Sequence, residues 1–286
     1  MSIVVTGATG ELGRLVVERL LATVPAESVA AVVRDKEKAA PLAARGVEIR
    51  VADYDSPETL AAAFRAGDRV LLISANEVGR RIPQHTAVID AAKAAGVAQL
   101  AYTGVLGGPD ADFRLAAEHK TTEQLILDSG LPYTFLRNGW YTENYTANLA
   151  PVLEHGAVVA NAGEGRIAVA TRADYADAAA AVLTGEGHLD VAYELSGDTA
   201  WSLAEYAAVV SEATGREIAY KNVPAAVHQE ILVGAGLPEP LAAILVDVDE
   251  AIARGRLAGT SGDLARLIGR PTTPLAETVA AAVAAA

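Results

Sequence analysis

The sequence predicts an α/β fold, a doubly wound parallel sheet with a smaller, mostly helical lobe. Three observations carry this. Short β-rich runs alternate with helical patterns from the start of the chain, several of those runs are apolar throughout, and a glycine-rich turn joins the first run to the first helix. Continuous apolar runs belong to strands covered on both faces, which is the situation inside a parallel sheet. A chain of 286 residues, 51% of them hydrophobic, is long enough for one such domain with an appended lobe.

The elements follow in order. Ile3–Thr6 reads as a strand, and Leu12, Leu15, Val16 and Leu20 mark one face of a helix. Val29–Val33 is the second strand, a helix-like pattern covers Lys36–Arg45, and Val47–Val51 is the third strand. Ser56-Pro57 predicts a helix start, with serine as the cap and proline in the first turn. Val70–Ser74, a helix near Pro83–Ala95, Leu100–Thr103, a helix near Leu115–Ser129 and Tyr133–Leu136 bring the count to six strands.

The rhythm then breaks. Residues 139–165 are rich in Tyr, Asn and Gly and read as an insertion beside the ligand. Ala173–Leu183 is helical in pattern and Ala192–Leu195 strand-like, while Ser202 with Glu205 forms a capping-box signature. Residues 223–286 read as mostly helical. Residues 1–139, completed by about 171–200, are therefore expected to form the sheet domain, and 140–170 with 201–286 the smaller lobe, interleaved in sequence.

Composition excludes several classes. With no cysteine, disulfides, thiolate metal sites and a cysteine nucleophile fall away together. The opening MSIVVTGATG has no charged n-region or apolar h-region, so a cytoplasmic location is expected. Apolar stretches are far shorter than the ~20 residues that span a bilayer, and no membrane partner is expected. A net charge of −13 opposes binding to a phosphate backbone, so nucleic acid is not an expected partner.

Gly7-Ala8-Thr9-Gly10-Glu11-Leu12-Gly13 leaves a strand and enters a helix, the context a dinucleotide-binding turn requires. Gly7 permits the tight turn, Gly10 lets the backbone approach a pyrophosphate, and Gly13 lets helix and strand pack closely. The helix start adds amide donors and the positive end of its dipole. The expected domain is thus a Rossmann fold that binds a nicotinamide dinucleotide.

Past the second strand, where an acidic residue would hold the ribose hydroxyls of NAD, stands Arg34, with Lys36 and Lys38 beyond it. A cation there favours the 2′-phosphate of NADPH, although the neighbouring Asp35 is suited to a 2′-hydroxyl. Asp53 is placed either to meet the adenine amino group or simply to form a turn. The backbone of Ser74 and Ala75 passes beside the dinucleotide at the carboxyl edge of the sheet.

Many short-chain dehydrogenases use a tyrosine and, four residues later, a lysine that lowers its pKa. None of the nine tyrosines here has a lysine at that spacing. Leu115 and His119 occupy the two expected places, and Gly104 stands where a catalytic serine would follow the fifth strand. The five histidines show no metal-ligand spacing. No GxSxG elbow or Walker lysine is present.

TGATGELG, the strand end at Arg34, Ala-Tyr102-Thr103, Glu118-His119-Lys120 and Arg137-Asn138-Gly139-Trp140-Tyr141 together resemble the NmrA-like group of atypical short-chain dehydrogenases/reductases. The likeness runs along nearly the whole chain, through Thr171–Tyr175 and Gly197–Trp201 to Leu267–Gly269. It implies NADPH-dependent reduction of an electron-poor planar acceptor, with a quinone first and triarylmethane or azo dyes as the alternative. Gly104 is the departure, since the quinone-reducing pattern has serine there and the triarylmethane-reducing pattern glycine. A further alternative is an NADP(H)-sensing regulator that binds a protein partner without turnover.

By the same resemblance, Asn138, Gly139, Trp140 and Tyr141 lie along the nicotinamide, with Thr103 at the cofactor, and Trp140, Tyr141 and Asn144 meet the acceptor. A quinone delocalises incoming charge, so positioning supplies most of the help, with ~3–3.5 Å between the reacting atoms. Candidate donors to the developing hydroquinone oxygen are Tyr102, His119, Lys120 and Tyr141. For His119 and Lys120 an exposed helix face is the competing reading. For Trp140 and Tyr141 it is packing between lobes.

Overall fold

The computed structural model describes residues 2–147 and 149–285. Seven strands form one parallel sheet: β1 (Ile3–Thr6), β2 (Val29–Val33), β3 (Glu48–Val51), β4 (Arg69–Leu72), β5 (Gln99–Val105), β6 (Tyr133–Asn138) and β9 (Val191–Leu195). Their spatial order is β3-β2-β1-β4-β5-β6-β9. The order reverses between β1 and β4, and in such sheets the crevice at that switch point is where ligands bind.

Helices cover both faces. On one, α1 (Glu11–Thr23) and α8 (Arg172–Thr184) enclose a core containing Val5, Val16, Leu20, Val33, Ala179 and Leu183. On the other, α4 (Arg81–Ala95) and α5 (Ala116–Ser129) cover Val70, Leu72, Leu100, Tyr102 and Ile126. Strands β2 and β5 are buried along their whole length, as a sheet covered on both sides requires.

Two expected helices shrink to single turns. Only α2 (Ala40–Ala43) forms within 36–45, because the Asp35 carboxylate first draws the amides of Glu37 and Lys38 into a turn. After Ser56 only α3 (Pro57–Leu60) forms, and the serine hydroxyl does not cap it.

The 139–165 stretch contains α6 (Glu143–Thr146), α7 (Leu149–His155) and β7 (Ala157–Ala160), followed by β8 (Arg166–Ile167). After β9 come β10 (Trp201–Ser202), α9 (Leu203–Thr214), β11 (Ala219–Asn222), α10 (Ala225–Gly234), α11 (Glu239–Ala253), α12 (Asp263–Ile268) and α13 (Leu275–Ala285). The helical tail is thus described to Ala285, and Ala286 lies outside the described residues, as do Met1 and Asn148. The capping box at Ser202 is made in both directions: Glu205 N–H donates to the serine Oγ at 3.2 Å and Ser202 N–H to the glutamate at 2.7 Å. A second box, Thr171 with Asp174, starts α8.

These later elements share a separate core of Phe113, Ile167, Trp201, Tyr206, Val210 and Ile252. The small sheets are β8 antiparallel to β10 and β7 parallel to β11. Among the described residues no helix is long and apolar enough to cross a membrane.

Candidate functional site

The turn after β1 is built around missing side chains. Gly7 has φ +59°, and its carbonyl accepts the Gly10 N–H at 2.9 Å. A Cβ on Gly13 would lie 2.3 Å from that carbonyl oxygen and 2.8 Å from Ala8 Cα, contacts that no real side chain tolerates. Gly7, Thr9, Gly10 and Glu11 are exposed at the mouth of the turn, while Leu12 and Gly13 are buried beneath it. Among the described residues no side chain caps the start of α1, so its first amides are open to an anion.

Tyr54, which sequence reasoning did not single out, forms the floor. Its hydroxyl donates to Thr6 Oγ1, Thr6 donates to Leu71 O at 3.0 Å, and Ile73 N–H donates to Thr6 Oγ1 at 3.1 Å. Burial holds the Tyr54 phenol well above its ordinary pKa. The ends of β1 and β4 are thereby tied together at the switch point.

Arg34 stands exposed at the end of β2. Asp35 is committed to its own turn, accepting from Glu37 N–H at 2.9 Å and Lys38 N–H at 3.3 Å. Asp53 is also in a turn, with Oδ1 accepting from Asp55 N–H at 3.1 Å and its carbonyl accepting from Ser56 N–H at 3.0 Å.

At the ends of β4 and β5, Ser74 N–H donates to Thr103 Oγ1 at 2.9 Å and Ala75 N–H to His85 Nε2 at 3.0 Å. That second bond fixes the tautomer. His85 carries its proton on Nδ1 and donates it to Thr122 Oγ1 at 2.9 Å, and Thr122 in turn donates to Glu118 O at 2.8 Å. Burial, with Arg81 nearby, pulls the His85 pKa down to about 4.

The structure brings Tyr102 and His119 together, their Oη and Nδ1 2.7 Å apart. Arg81 Nη1 donates to His119 Nε2 at 3.2 Å, so the imidazole donates from Nδ1 to the tyrosine. Burial and the arginine pull His119 down to about 3, and burial pushes the Tyr102 phenol far up. Both groups are neutral at pH 7, and Tyr102 is fully buried. Lys120 is not part of this group. It lines a separate groove of about 460 Å³ with Pro109, Gln124, Phe135 and Arg137.

Beyond β6, the Gly139 N–H donates to Leu195 O at 2.7 Å, and a Cβ there would come within 3.0 Å of Tyr175 Oη. Tyr141 is gripped by the Arg172 guanidinium 4.7 Å over its ring and by an edge contact with Tyr175 at 5.3 Å. Asn144 accepts from Arg172 at 3.4 Å, and Trp140 packs on the second core. Gly104 is buried, and its missing Cβ points toward Glu123 Oε1 at 3.0 Å and Arg137 Cγ at 3.7 Å. Arg137 there makes a two-pronged pair with Glu123, at 2.9 and 2.7 Å, and a third contact with Glu194 at 2.8 Å.

A dinucleotide fits this edge by the structure's own measures. The turn leaves no room for a Cβ at Gly13, the helix start is uncapped, and Ser74 Oγ, Asn138 Oδ1 and Tyr175 Oη are buried without hydrogen-bond partners among the described residues. Unpaired buried polar atoms are uncommon, and three of them lie at or beside the ends of β4 and β6, where a bound cofactor would pass. Sequence reasoning also misses Arg81 and His85. The available signal is the pair Arg80-Arg81 at a helix N-terminus, where the dipole disfavours cations.

The NmrA-like family model matches residues 1–257. Quinone oxidoreductase 2 of Escherichia coli (strain K12) is 48% identical over 277 residues, covering 97% of each chain. The solved structure of an NADPH-dependent quinone oxidoreductase from E. coli, complexed with NADPH, superposes with a TM-score of 0.95 at 48% identity, covering 98% of this chain and 99% of that one. Triphenylmethane reductase from Citrobacter sp. superposes with a TM-score of 0.94 at 42% identity, covering 99% and 100%. A glycine cradle at the switch point of a doubly wound sheet, matched along almost the whole chain by these relatives, makes this protein a member of the NmrA-like family.

Proposed function

We propose that this chain is an NADPH-dependent oxidoreductase that passes hydride directly to a quinone. The observation that carries it is the 48% identity and 0.95 TM-score, over nearly the full length of both chains, with a quinone oxidoreductase complexed with NADPH. The site supports the NADPH part of this reading independently. Asp35 is occupied by its own turn and Arg34 is open, an arrangement suited to a 2′-phosphate rather than a 2′-hydroxyl.

NADPH supplies the hydride when bound. The residues we assign to holding it are Gly7, Thr9, Gly10, Glu11, Leu12 and Gly13 in the turn and Arg34 at the phosphate. We add Asp53, Ser74, Ala75, Thr103 and the loop from Asn138 to Tyr141 along its length. Trp140, Tyr141 and Asn144 border the acceptor in this reading. Tyr102 and His119 act from beneath the floor as positioning groups, because the tyrosine is fully buried. Residues 1–139, completed by about 171–200, form the cofactor-binding part, and the rest covers the acceptor. We also infer a cytoplasmic location, where NADPH is supplied.

The test is cofactor oxidation followed at fixed NADPH with a series of small quinones and one triarylmethane dye. Quinone turnover faster with NADPH than with NADH supports the proposal. NADPH binding without turnover of any acceptor would replace it with the regulatory reading. A triarylmethane dye is the second acceptor to compare, because of the 0.94 TM-score with triphenylmethane reductase.

A further inference from the structure

Arg81 begins α4 and is more than nine-tenths buried, with 9% of its surface exposed. Its Nε donates to Ala75 O at 2.7 Å and its Nη1 to His119 Nε2 at 3.2 Å. Among the described residues Nη2 has no hydrogen-bond acceptor, and no ion pair reaches the guanidinium. Glu118 acts on it through space but spends its own oxygens on the backbone, accepting from Arg81 N–H at 3.2 Å and Gly79 N–H at 3.1 Å. The remaining groups that face Arg81 are the phenols of Tyr102 and Tyr141 and the imidazoles of His85 and His119. All four are neutral at pH 7.

A guanidinium keeps its charge, and burying most of it with only Glu118 acting through space, that carboxylate's oxygens being held by backbone amides, is costly. The cost is explained if an anion forms beside it during function. Ala75 and Tyr141 place the group past the ends of β4 and β6, in the part of the crevice toward the loop from Asn138 to Tyr141. In the reading proposed above that loop borders the nicotinamide and the acceptor, so the charge that would arise beside it is the acceptor's.

Resting on the quinone-reductase reading, we propose that Arg81 is the oxyanion-holding residue, its free Nη2 donating to the quinone oxygen on which negative charge collects. The quinone gains two electrons and a proton as hydride from the reduced nicotinamide, which is oxidised, and becomes the hydroquinone monoanion. One proton from solvent completes the hydroquinone. Hydrogen-bond donors fixed in advance at a developing oxyanion are among the largest contributions to catalysis. The same cation repels a cationic acceptor, whose charge hydride neutralises, so Arg81 sets acceptor class as well as rate.

The test compares wild type with Arg81→Gln and Arg81→Lys, each checked by thermal unfolding. Para-nitrophenol, titrated into the protein with NADP+, reports oxyanion stabilisation by its phenolate absorption without any turnover. Wild type and Arg81→Lys should lower the bound phenol's pKa by about 1–3, and Arg81→Gln should not. Single-turnover hydride transfer to a quinone should fall about 10²–10³-fold in Arg81→Gln, with NADPH affinity within about twofold of wild type and no loss toward a triarylmethane dye.

Equal nitrophenol titrations in wild type and Arg81→Gln would overturn the proposal. So would a parallel loss of NADPH affinity, or equal rate losses for both acceptors. If Arg81→Gln fails to fold, a nitrophenol pKa left at its free value in wild type and Arg81→Lys overturns it as well. Failure of the wild type to reduce any quinone sinks the activity reading instead, and the nitrophenol titration still decides Arg81.

Discussion

His85 receives the backbone N–H of Ala75 on its Nε2 at 3.0 Å, which makes the imidazole a neutral strut beneath the β4 turn. Protonating Nε2 would leave two donors facing each other, so the bond holds only while the ring is neutral.

Stability should therefore depend on pH in a definite direction. His85 and His119 have folded pKa values of about 4 and about 3, below the ordinary 6.5. As pH falls below 6.5 the unfolded chain takes up these protons and the folded chain does not, so stability drops across the window down to pH 3–4. The slope is up to about 1.4 kcal/mol per pH unit for each histidine. Melting temperature measured against pH should fall through this window, and more gently in His119→Gln. A flat profile in wild type would contradict the buried, neutral assignment.

Gly13→Ala should damage both fold and binding. The added Cβ meets backbone atoms of Gly7 and Ala8, which cannot move aside as a flexible side chain would. Unfolding free energy should fall by about 1–3 kcal/mol. NADPH affinity, read by fluorescence titration, should fall about tenfold or more, a loss of about 1.4 kcal/mol for each factor of ten. Unchanged affinity would remove the turn from the cofactor site.

Arg34→Ala should raise the Michaelis constant for NADPH about tenfold and leave that for NADH unchanged. An exposed charged hydrogen bond is expected at the lower end of ~1.5–3 kcal/mol. Asp35→Asn should alter neither, because its carboxylate already serves two backbone amides. A selective loss of NADH use in Asp35→Asn would reverse the cofactor assignment.

Gly104→Ser tests whether that position governs acceptor choice. The new side chain would point toward Glu123 and Arg137 rather than into the crevice. The ratio of quinone to dye rates should move by less than about threefold, since a contact that does not change between ground and transition state does not alter the chemical step. A larger change in the ratio would place the serine hydroxyl at the acceptor.

What was legible in the sequence was local. The glycine turn announces itself because each glycine answers a backbone requirement within seven residues, and the strands show because both faces of the sheet are covered. The Arg81–His119–Tyr102 chain has no such signature, as its members lie on α4, α5 and β5 and meet only once β4 and β5 are paired. Lys120 shows the same limit. It follows His119 directly, yet one residue along a helix is a turn of about 100°, which carries it from the buried side to an outer groove. The helices expected at 36–45 and after Ser56 are shorter than their patterns suggest because the side chains of Asp35 and Thr59 bond to nearby backbone and compete with helix propagation.

The seventh strand has a consequence for how the protein is made. β9 pairs with β6, but residues 191–195 emerge only after the chain has left the sheet and returned through α8. A nascent chain ending near Gly139 would hold β6 as an open edge, with unpaired amides and carbonyls free to join another molecule. Truncation at that point should yield aggregate rather than a minimal nucleotide-binding unit, and synthesis past Leu195 is the earliest moment at which β6 can be paired on both sides.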